Sequence, residues 1–152
     1  PCVIMNVADF GLTGDESCEI LEANNPLKEA IEDIRRQAGI LMHLGNVKKK
    51  SVPKMTLVAV PSGDSVIKTR SLIPHHVHSS IGVFEAISVA TACVIPQTVA
   101  SSIARLPTGS NYIIEHPSGS LNVQLKLDGN GVVRRAGIIR TARKLMDGSV
   151  YV

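Results

Sequence analysis

Pro74-His-His-Val-His-Ser-Ser-Ile-Gly-Val-Phe-Glu-Ala-Ile-Ser-Val-Ala-Thr-Ala-Cys-Val-Ile-Pro96 is the stretch on which the reading of this 152-residue chain turns. From Ile81 onward Glu85 is the only charged residue, and small residues (Gly82, Ala86, Ser88, Ala90, Ala92) are interleaved with large aliphatic ones. A helix apolar on every side is expected to lie inside a protein. Ser79 or Ser80 is placed to cap its start by accepting a backbone N–H, and Pro96 cannot continue it. The first turn carries unsatisfied amide donors and the positive end of the helix dipole, beside two hydroxyls and three imidazoles. Such a cluster suits a carboxylate or phosphate, so an anion site is expected where this buried helix begins.

On the N-terminal side of this helix, Cys2 to Ala8 has the apolar density of a buried strand, and Gly11-Leu-Thr-Gly14 breaks it. Thr13 or Asp15 is expected to cap a short helix through Ile20 and Leu21. Asn25-Pro26 opens a longer one, in which Leu27, Ala30, Ile31, Ile34, Ala38, Leu41 and Met42 fall three or four apart, with Lys28, Glu29, Glu32, Asp33, Arg35 and Arg36 opposite. This amphipathic helix should end near Gly45. Met55 to Val60 and Ser65 to Ile73 read as strands joined by a turn at Pro61-Ser-Gly-Asp64. In the second of them Val66, Lys68, Arg70 and Leu72 share a face, and Arg70 is either an exposed strand arginine or one directed toward the start of the apolar helix.

On the C-terminal side, Thr98 to Thr108 has no readable pattern. Tyr112 to His116 is a strand candidate, and Pro117-Ser-Gly119 turns the chain. Leu121, Val123, Leu125 and Leu127 alternate with Asn122, Gln124 and Lys126, as in a sheet with one wet face. Asp128-Gly-Asn-Gly131 marks a hairpin, Val132 to Thr141 supplies another strand, and Ser149 to Val152 the last. The class is therefore α+β: a strongly curved, mostly antiparallel sheet wrapped around one buried central helix, with a peripheral amphipathic helix. Residues 1–152 read as a single domain around a single core, with no repeat or linker.

Composition narrows the function classes. A net charge of +3, 3% aromatic residues and no Trp leave little for stacking on bases, so nucleic acid is not an expected partner. Cys2, Cys18 and Cys93 are odd in number and widely spaced, which matches neither a disulfide framework nor a zinc ribbon and fits a reducing, cytoplasmic setting. The run from Ile81 to Ile95 is shorter than the ~20 residues that cross a bilayer, and no membrane association is expected. Homo-oligomer formation is compatible with the sequence. A strand starting at the second residue, after Pro1, points to an upstream part of the protein.

Taken in order along the chain, Pro1-Cys2-Val3, Ala8-Asp-Phe-Gly-Leu-Thr-Gly14, His78-Ser-Ser-Ile-Gly82, His116-Pro-Ser-Gly119 and Arg140-Thr-Ala-Arg-Lys-Leu-Met-Asp-Gly148 resemble the motif series of the PrpF family. These are aconitate-type isomerases of the diaminopimelate-epimerase-like superfamily. Pro1-Cys2-Val3 is similar to the end of the family's Asn-Pro-Cys motif, and His78 to Gly82 sits where the superfamily starts its second central helix. The resemblance implies two similar domains with the active site between them, this chain being the second, C-terminal one and the first domain being absent. It implies a cofactor-free, metal-free movement of a double bond in an unsaturated tricarboxylate, of the 2-methylaconitate type in propionate breakdown through methylcitrate, or a 4-oxalomesaconate-type tautomerisation. The family's proton-transfer residues lie in the first domain, so no catalytic residue is assigned here. Where epimerase relatives carry a catalytic Cys, this chain has His78-Ser79.

Moving a double bond beside a carboxylate requires removal and return of a proton while charge spreads into the carboxylate, and fixed donors stabilise that charge. The substrate-binding candidates are therefore Ser79, Ser80 and Gly82 at the helix start, His78 beside them, and Arg70 and Arg140 as guanidinium forks for a second carboxylate. His116, Ser118 and Gly119 are candidates as a tight turn with amides toward the cleft, and Cys2 for its place in the cleft motif. The bland alternatives are capping serines, a loop histidine, an ordinary turn, a solvated basic edge and a small core cysteine. His75, His76 and His78 also invite a zinc reading, for which no third ligand stands at an obvious spacing. A non-catalytic acid-binding or protein-interaction module is the remaining class.

Overall fold

The structure, a computed structural model, describes residues 1–149. Strands β1 (Cys2–Asn6), β2 (Lys54–Ala59), β3 (Ile67–Leu72), β4 (Val77–His78), β5 (Asn111–His116), β6 (Gly119–Leu127) and β7 (Val133–Ile138) form one sheet. Its order is β1-β2-β3-β5-β6-β7, with β4 pairing β3 off this path. The β1·β2 and β3·β5 pairs are parallel and the others antiparallel. The helices are α1 (Cys18–Ala23), α2 (Asn25–Leu41), α3 (Val83–Val94) and α4 (Val99–Ile103), with a 3-10 turn at Val7–Phe10. The strand expected at Ser149 to Val152 falls outside the described residues except for Ser149, which is not in a strand.

The curvature expected from the sequence is present, because α3 alone touches β1, β5, β6 and β7 and so reaches strands at both ends of the sheet order. Its buried face is Ala86, Val89, Ala90 and Cys93, packed on Val58, Ile67, Ile114, Val123 and Leu125 of the sheet. The small residues of the quoted stretch let helix and sheet approach closely. The helix is nevertheless not buried all round: Phe84 is 84% exposed and Ile95 47%.

A second correction concerns the core. The sheet is covered on both faces, and Met5, Leu21, Leu27, Ile31, Met55, Leu57, Ala59 and Leu72 make a separate cluster under α1 and α2. Alternation sends Thr56 and Val58 of β2 to the α3 side and Met55, Leu57 and Ala59 to the α1–α2 side. Both central strands are thereby buried, β3 at every residue and β2 at every residue after Lys54. The register pairs Leu57 with Arg70 and Ala59 with Lys68, so Arg70 lies on the α1–α2 face, away from α3. It is neither the exposed strand arginine nor a side chain directed at the start of α3.

Local chemistry explains where the helices begin. Ser17 caps α1, in place of Thr13 or Asp15, and Asn24 caps α2, its side chain accepting from Leu27 N at 3.1 Å with Pro26 in the first turn. The N-cap of α3 is Gly82 and no side chain caps it; neither Ser79 nor Ser80 does so. Its end is as expected, with Ile95 as C-cap and Pro96 next. The unread segment after it holds α4, whose Thr98 and Ser101 close a reciprocal capping box.

Arg35, expected on the wet side of α2, is completely buried. Its guanidinium is held by Glu32 at 2.6 and 2.9 Å and by the carbonyls of Val47, Lys50 and Val52 at 2.9–3.1 Å, which ties the segment before β2 to α2. Burying the charge is tolerable because it is paired and hydrogen-bonded.

Candidate functional site

Two clefts flank the segment that leads into α3. The first, of about 410 Å³, is lined by Asp15, Glu16, Cys18, Arg70, Ser79 and Ser118 among others. The second, of about 380 Å³, is lined by Cys2, Lys54, Phe84, Glu85 and Ser88 with Pro1 and Val52. Hollows of about 510 and 450 Å³ beside α2 are larger but contain none of the expected residues except the fringe residue His75.

Arg70 is the charged group of the first cleft. It is 8% exposed, its Nε donates to Glu16 O at 3.0 Å and its Nη1 to Thr69 O at 2.9 Å, while Nη2 has no hydrogen bond among the described residues. The guanidinium is thus fixed by backbone with one edge left for an anion. Of the carboxylates that line this cleft, Glu19 is fully exposed, and Asp15 and Glu16 are already engaged. Asp15 pairs with Lys68 at 2.5 Å, and Glu16 accepts from Thr13 N, Gly14 N and the Thr13 hydroxyl at 2.8–2.9 Å. Burial pushes the Glu16 carboxyl upward, but those donors outweigh it and hold the group down at about 2. A ligand carboxylate at Arg70 therefore meets one open guanidinium edge, with the charges of Asp15 and Glu16 already satisfied and that of Glu19 screened by solvent.

Ser79 and Ser118 stand opposite. Ser118 N and its hydroxyl both donate to Ser79 O, at 2.9 and 2.7 Å, and the hydroxyl also lies 3.2 Å from His116 Nδ1. The turn amide expected to face the cleft is consumed in this bond. Its role is to fasten the β5–β6 hairpin to the segment before α3. Gly119, paired with His116 across the turn, has φ 145°, a conformation glycine takes without a steric cost. Ser80 is exposed and lines neither cleft, and Arg140 stands exposed after β7, also away from both.

The three imidazoles diverge. His75 Nδ1 is 3.4 Å from Glu32, His76 Nδ1 3.2 Å from Glu22, and His78 Nε2 3.3 Å from Ile73 O. They do not converge on one point, and the zinc reading finds no geometry to rest on. Cys18 borders the first cleft, its thiol 3.8 Å from His78 O.

At the second cleft the first turn of α3 is occupied from within. Glu85 is 1% exposed, and its Oε1 accepts from the Thr56 hydroxyl at 2.6 Å. Thr56 Oγ1 is in turn 3.2 Å from Cys2 Sγ. Burial pushes the Cys2 thiol up to about 11; a Thr56 hydroxyl that donates to the sulfur acts against this rise, the negative charge of Glu85 adds to it, and Lys54 opposes it. Gly82 is a close approach: a Cβ there would stand 3.1 Å from Lys54 Nζ and 3.8 Å from Glu85 Oε2. Lys54, Thr56 and Glu85 were not read as site residues. Their signal was a sole carboxylate in an apolar helix and a hydroxyl in an apolar strand, which no spacing rule connects.

The expected residues thus divide, with Arg70, Ser79 and Ser118 at one cleft, His116 bonded behind them, and Cys2 and Gly82 at the other. The same arrangement of elements occurs in the crystal structure of methylitaconate-delta-isomerase, which superposes with a TM-score of 0.83 over 99% of this chain and 44% of that one; at 24% identity this speaks for the fold alone. Among curated relatives, the (4E)-oxalomesaconate Delta-isomerase of Novosphingobium sp. (strain KA1) is 51% identical and the 4-oxalomesaconate tautomerase of Pseudomonas putida 46%, each over all of this chain. A 2-methyl-aconitate isomerase of Shewanella oneidensis is 28% identical. The chain spans 43%, 42% and 43% of the lengths of these relatives. The profile of the PrpF protein family matches residues 1–152, and the chain belongs to that family.

Proposed function

We propose that this chain is the carboxylate-holding part of a longer, cofactor-independent isomerase that moves a double bond in an unsaturated tricarboxylic acid. The substrate class it fits best is the 4-oxalomesaconate type, a keto acid, ahead of the 2-methylaconitate type that the family resemblance first brings forward. Identities of 51% and 46% to relatives bearing the former name, against 28% for one bearing the latter, favour that order. The observation that carries the reading is Arg70, a buried guanidinium held by two backbone carbonyls with Nη2 free in a cleft. Such a fork binds a carboxylate in a fixed orientation, and negative charge that develops in an enolate or dienolate during proton removal draws on it more strongly than the ground state does. Proton-moving groups are assigned to the rest of the longer protein, together with the other wall of the site.

The test uses the full-length protein with 4-oxalomesaconate and 2-methylaconitate as alternative substrates. Higher kcat/KM is expected for the keto acid, and the reverse order overturns the substrate assignment. Arg70→Met should lower kcat/KM roughly 10- to 150-fold, the loss of one charge-assisted hydrogen-bonding group, with Arg70→Lys intermediate. Unchanged kinetics in Arg70→Met would remove this cleft from the site. The 152-residue chain alone is expected to show no turnover.

A further inference from the structure

Cys2, Thr56 and Glu85 come from β1, β2 and α3, three separate stretches of the chain, and meet under the first turn of that helix. Thr56 has one hydroxyl proton, and at 2.6 Å that proton is committed to Glu85 Oε1. With that proton committed, the thiol is the donor left for the 3.2 Å contact between Cys2 Sγ and Thr56 Oγ1, and its one alternative acceptor among the described residues, Val3 O, is farther away at 3.8 Å. The other carboxylate oxygen, Glu85 Oε2, is buried and has no partner among the described residues, and the same holds for Ser71 Oγ, whose residue is paired in register with Thr56. Buried polar atoms are almost always satisfied, so an unpartnered carboxylate oxygen beside a cleft marks a group kept for more than packing.

We propose that Glu85 is a positioning residue acting through Thr56: it orients the Thr56 hydroxyl so that Cys2 stands at the second cleft as a neutral thiol, its proton turned inward and its sulfur lone pairs turned out. The inference rests on the carboxylate-holding reading for its meaning in function. A thiolate at this place would repel an incoming carboxylate, whereas a neutral sulfur beside the Lys54 ammonium does not. Gly82 is part of the device, since a side chain there would push against Lys54 Nζ, the cation that faces the same space. The charged groups acting on Cys2 are Glu85 from α3 and Lys54 from β2. Helix α4, which packs on β1, carries no charge, and on the α3 face of β3 the groups at this level are Thr69 and Ser71.

The test needs no substrate, so its failure is distinct from failure of the functional reading. In the full chain, alkylation of the Cys2-containing peptide by iodoacetamide is followed by mass spectrometry across pH. Glu85→Gln should shift the reactivity midpoint downward by about one pH unit, roughly tenfold in rate at a fixed pH below it. Thr56→Val, which keeps the volume and loses the hydroxyl, should also shift it downward, and Thr56→Ser, which loses the methyl and keeps the hydroxyl, should leave it in place. A Thr56→Val midpoint that rises means the hydroxyl had donated to sulfur and overturns the proposal. So does a Thr56→Ser midpoint that moves with Thr56→Val, the behaviour of a purely packing role. On the unsubstituted chain, the Raman difference against Cys2→Ser isolates the Cys2 S–H stretch. A frequency lowered from that of a free thiol is expected, and a band at the free-thiol position overturns the assignment even if a substituted chain fails to fold.

Discussion

Glu16 and Glu22 show how single carboxylates organise the segments around the first cleft. Glu22 accepts from Lys28 Nζ at 2.8 Å and from Val77 N at 2.7 Å, binding α1 to α2 and to β4. The Lys28 bond, then the Val77 amide, lowers its carboxyl to about 2, as the Thr13 and Gly14 donors do for Glu16 against its burial. Both folded values lie below the ordinary 4.5, so protons bind more tightly to the unfolded chain. The stability they contribute is complete above about 4.5 and is lost as pH falls through about 2. Urea midpoints measured from pH 6 down to pH 2 should therefore fall across that window, and Glu16→Gln with Glu22→Gln should flatten the fall; an unchanged slope would show that the donors do not distinguish carboxylate from amide. At this scale the sequence was only partly legible. Periodicity assigned Arg70 to a face but could not tell that β3 is central and covered on both sides, which is why a residue read as either exposed or directed at the start of α3 is buried on the α1–α2 face. Glu85 stood out as the lone charge in an apolar run, yet its partner lies 29 positions away in a strand.

Among the elements, helix bodies were easier to read than helix starts. Leu27 and Ile31 in the α2 stripe and the Pro96 stop of α3 follow from spacing and from a missing N–H, both local properties, whereas Ala30, Leu41 and Met42, expected on the inner face, are exposed and Arg35 and Gly39 are buried instead. The start of α3 is set instead by tertiary bonds: His78 pairs with Ser71 as part of β4, and Ser118 takes Ser79 O, so the serines that could have capped the helix are held one turn away from it. Helix α4 is only five residues long, too short for a period to show. The contact between α2 and the segment before β2 gives a prediction in which two effects oppose each other. Gly39 sits in the helix, where alanine would be preferred by about 0.8–1 kcal/mol on propensity alone. A Cβ there would meet Val47 Cγ1 and Cγ2 at 2.7 Å, and Val47 is a stiff, buried side chain. Overpacking costs about 1–3 kcal/mol, so Gly39→Ala should lower stability by up to about 2 kcal/mol net in chemical denaturation. Gly39→Ala with Val47→Ala should recover part of it, and a stabilised single variant would mean that the segment before β2 yields freely.

At the scale of the whole molecule, one curled sheet with a helical layer on each face was half visible in the sequence. The alternating β6 and the apolar α3 announced the curl around a central helix. The second cluster was hidden because α2 reads equally well as a peripheral helix or as a cover for a second sheet face, and only the pairing of β2 with β1 and β3 decides between them. The layering also sets which cations a protease can reach. Arg35, Lys68 and Arg70 are buried between α1–α2 and the sheet, whereas Arg140, Arg143 and Lys144 stand exposed in a stretch without regular structure after β7. Cleavage requires several extended residues in the protease cleft, which sheet and helix backbones deny and this stretch permits. Brief trypsin treatment should therefore cut after Arg140, Arg143 and Lys144 before Arg35, Lys68 or Arg70, with Lys48, Lys49 and Lys50, exposed in the loop before β2, as the competing site. The product ending at Arg140 should keep a cooperative unfolding transition close to that of the intact chain, because the described residues removed, 141–149, are all exposed. Early cuts at Arg35 or Lys68, or a transition lost on trimming, would show that the stretch after β7 secures the sheet edge rather than extending from it.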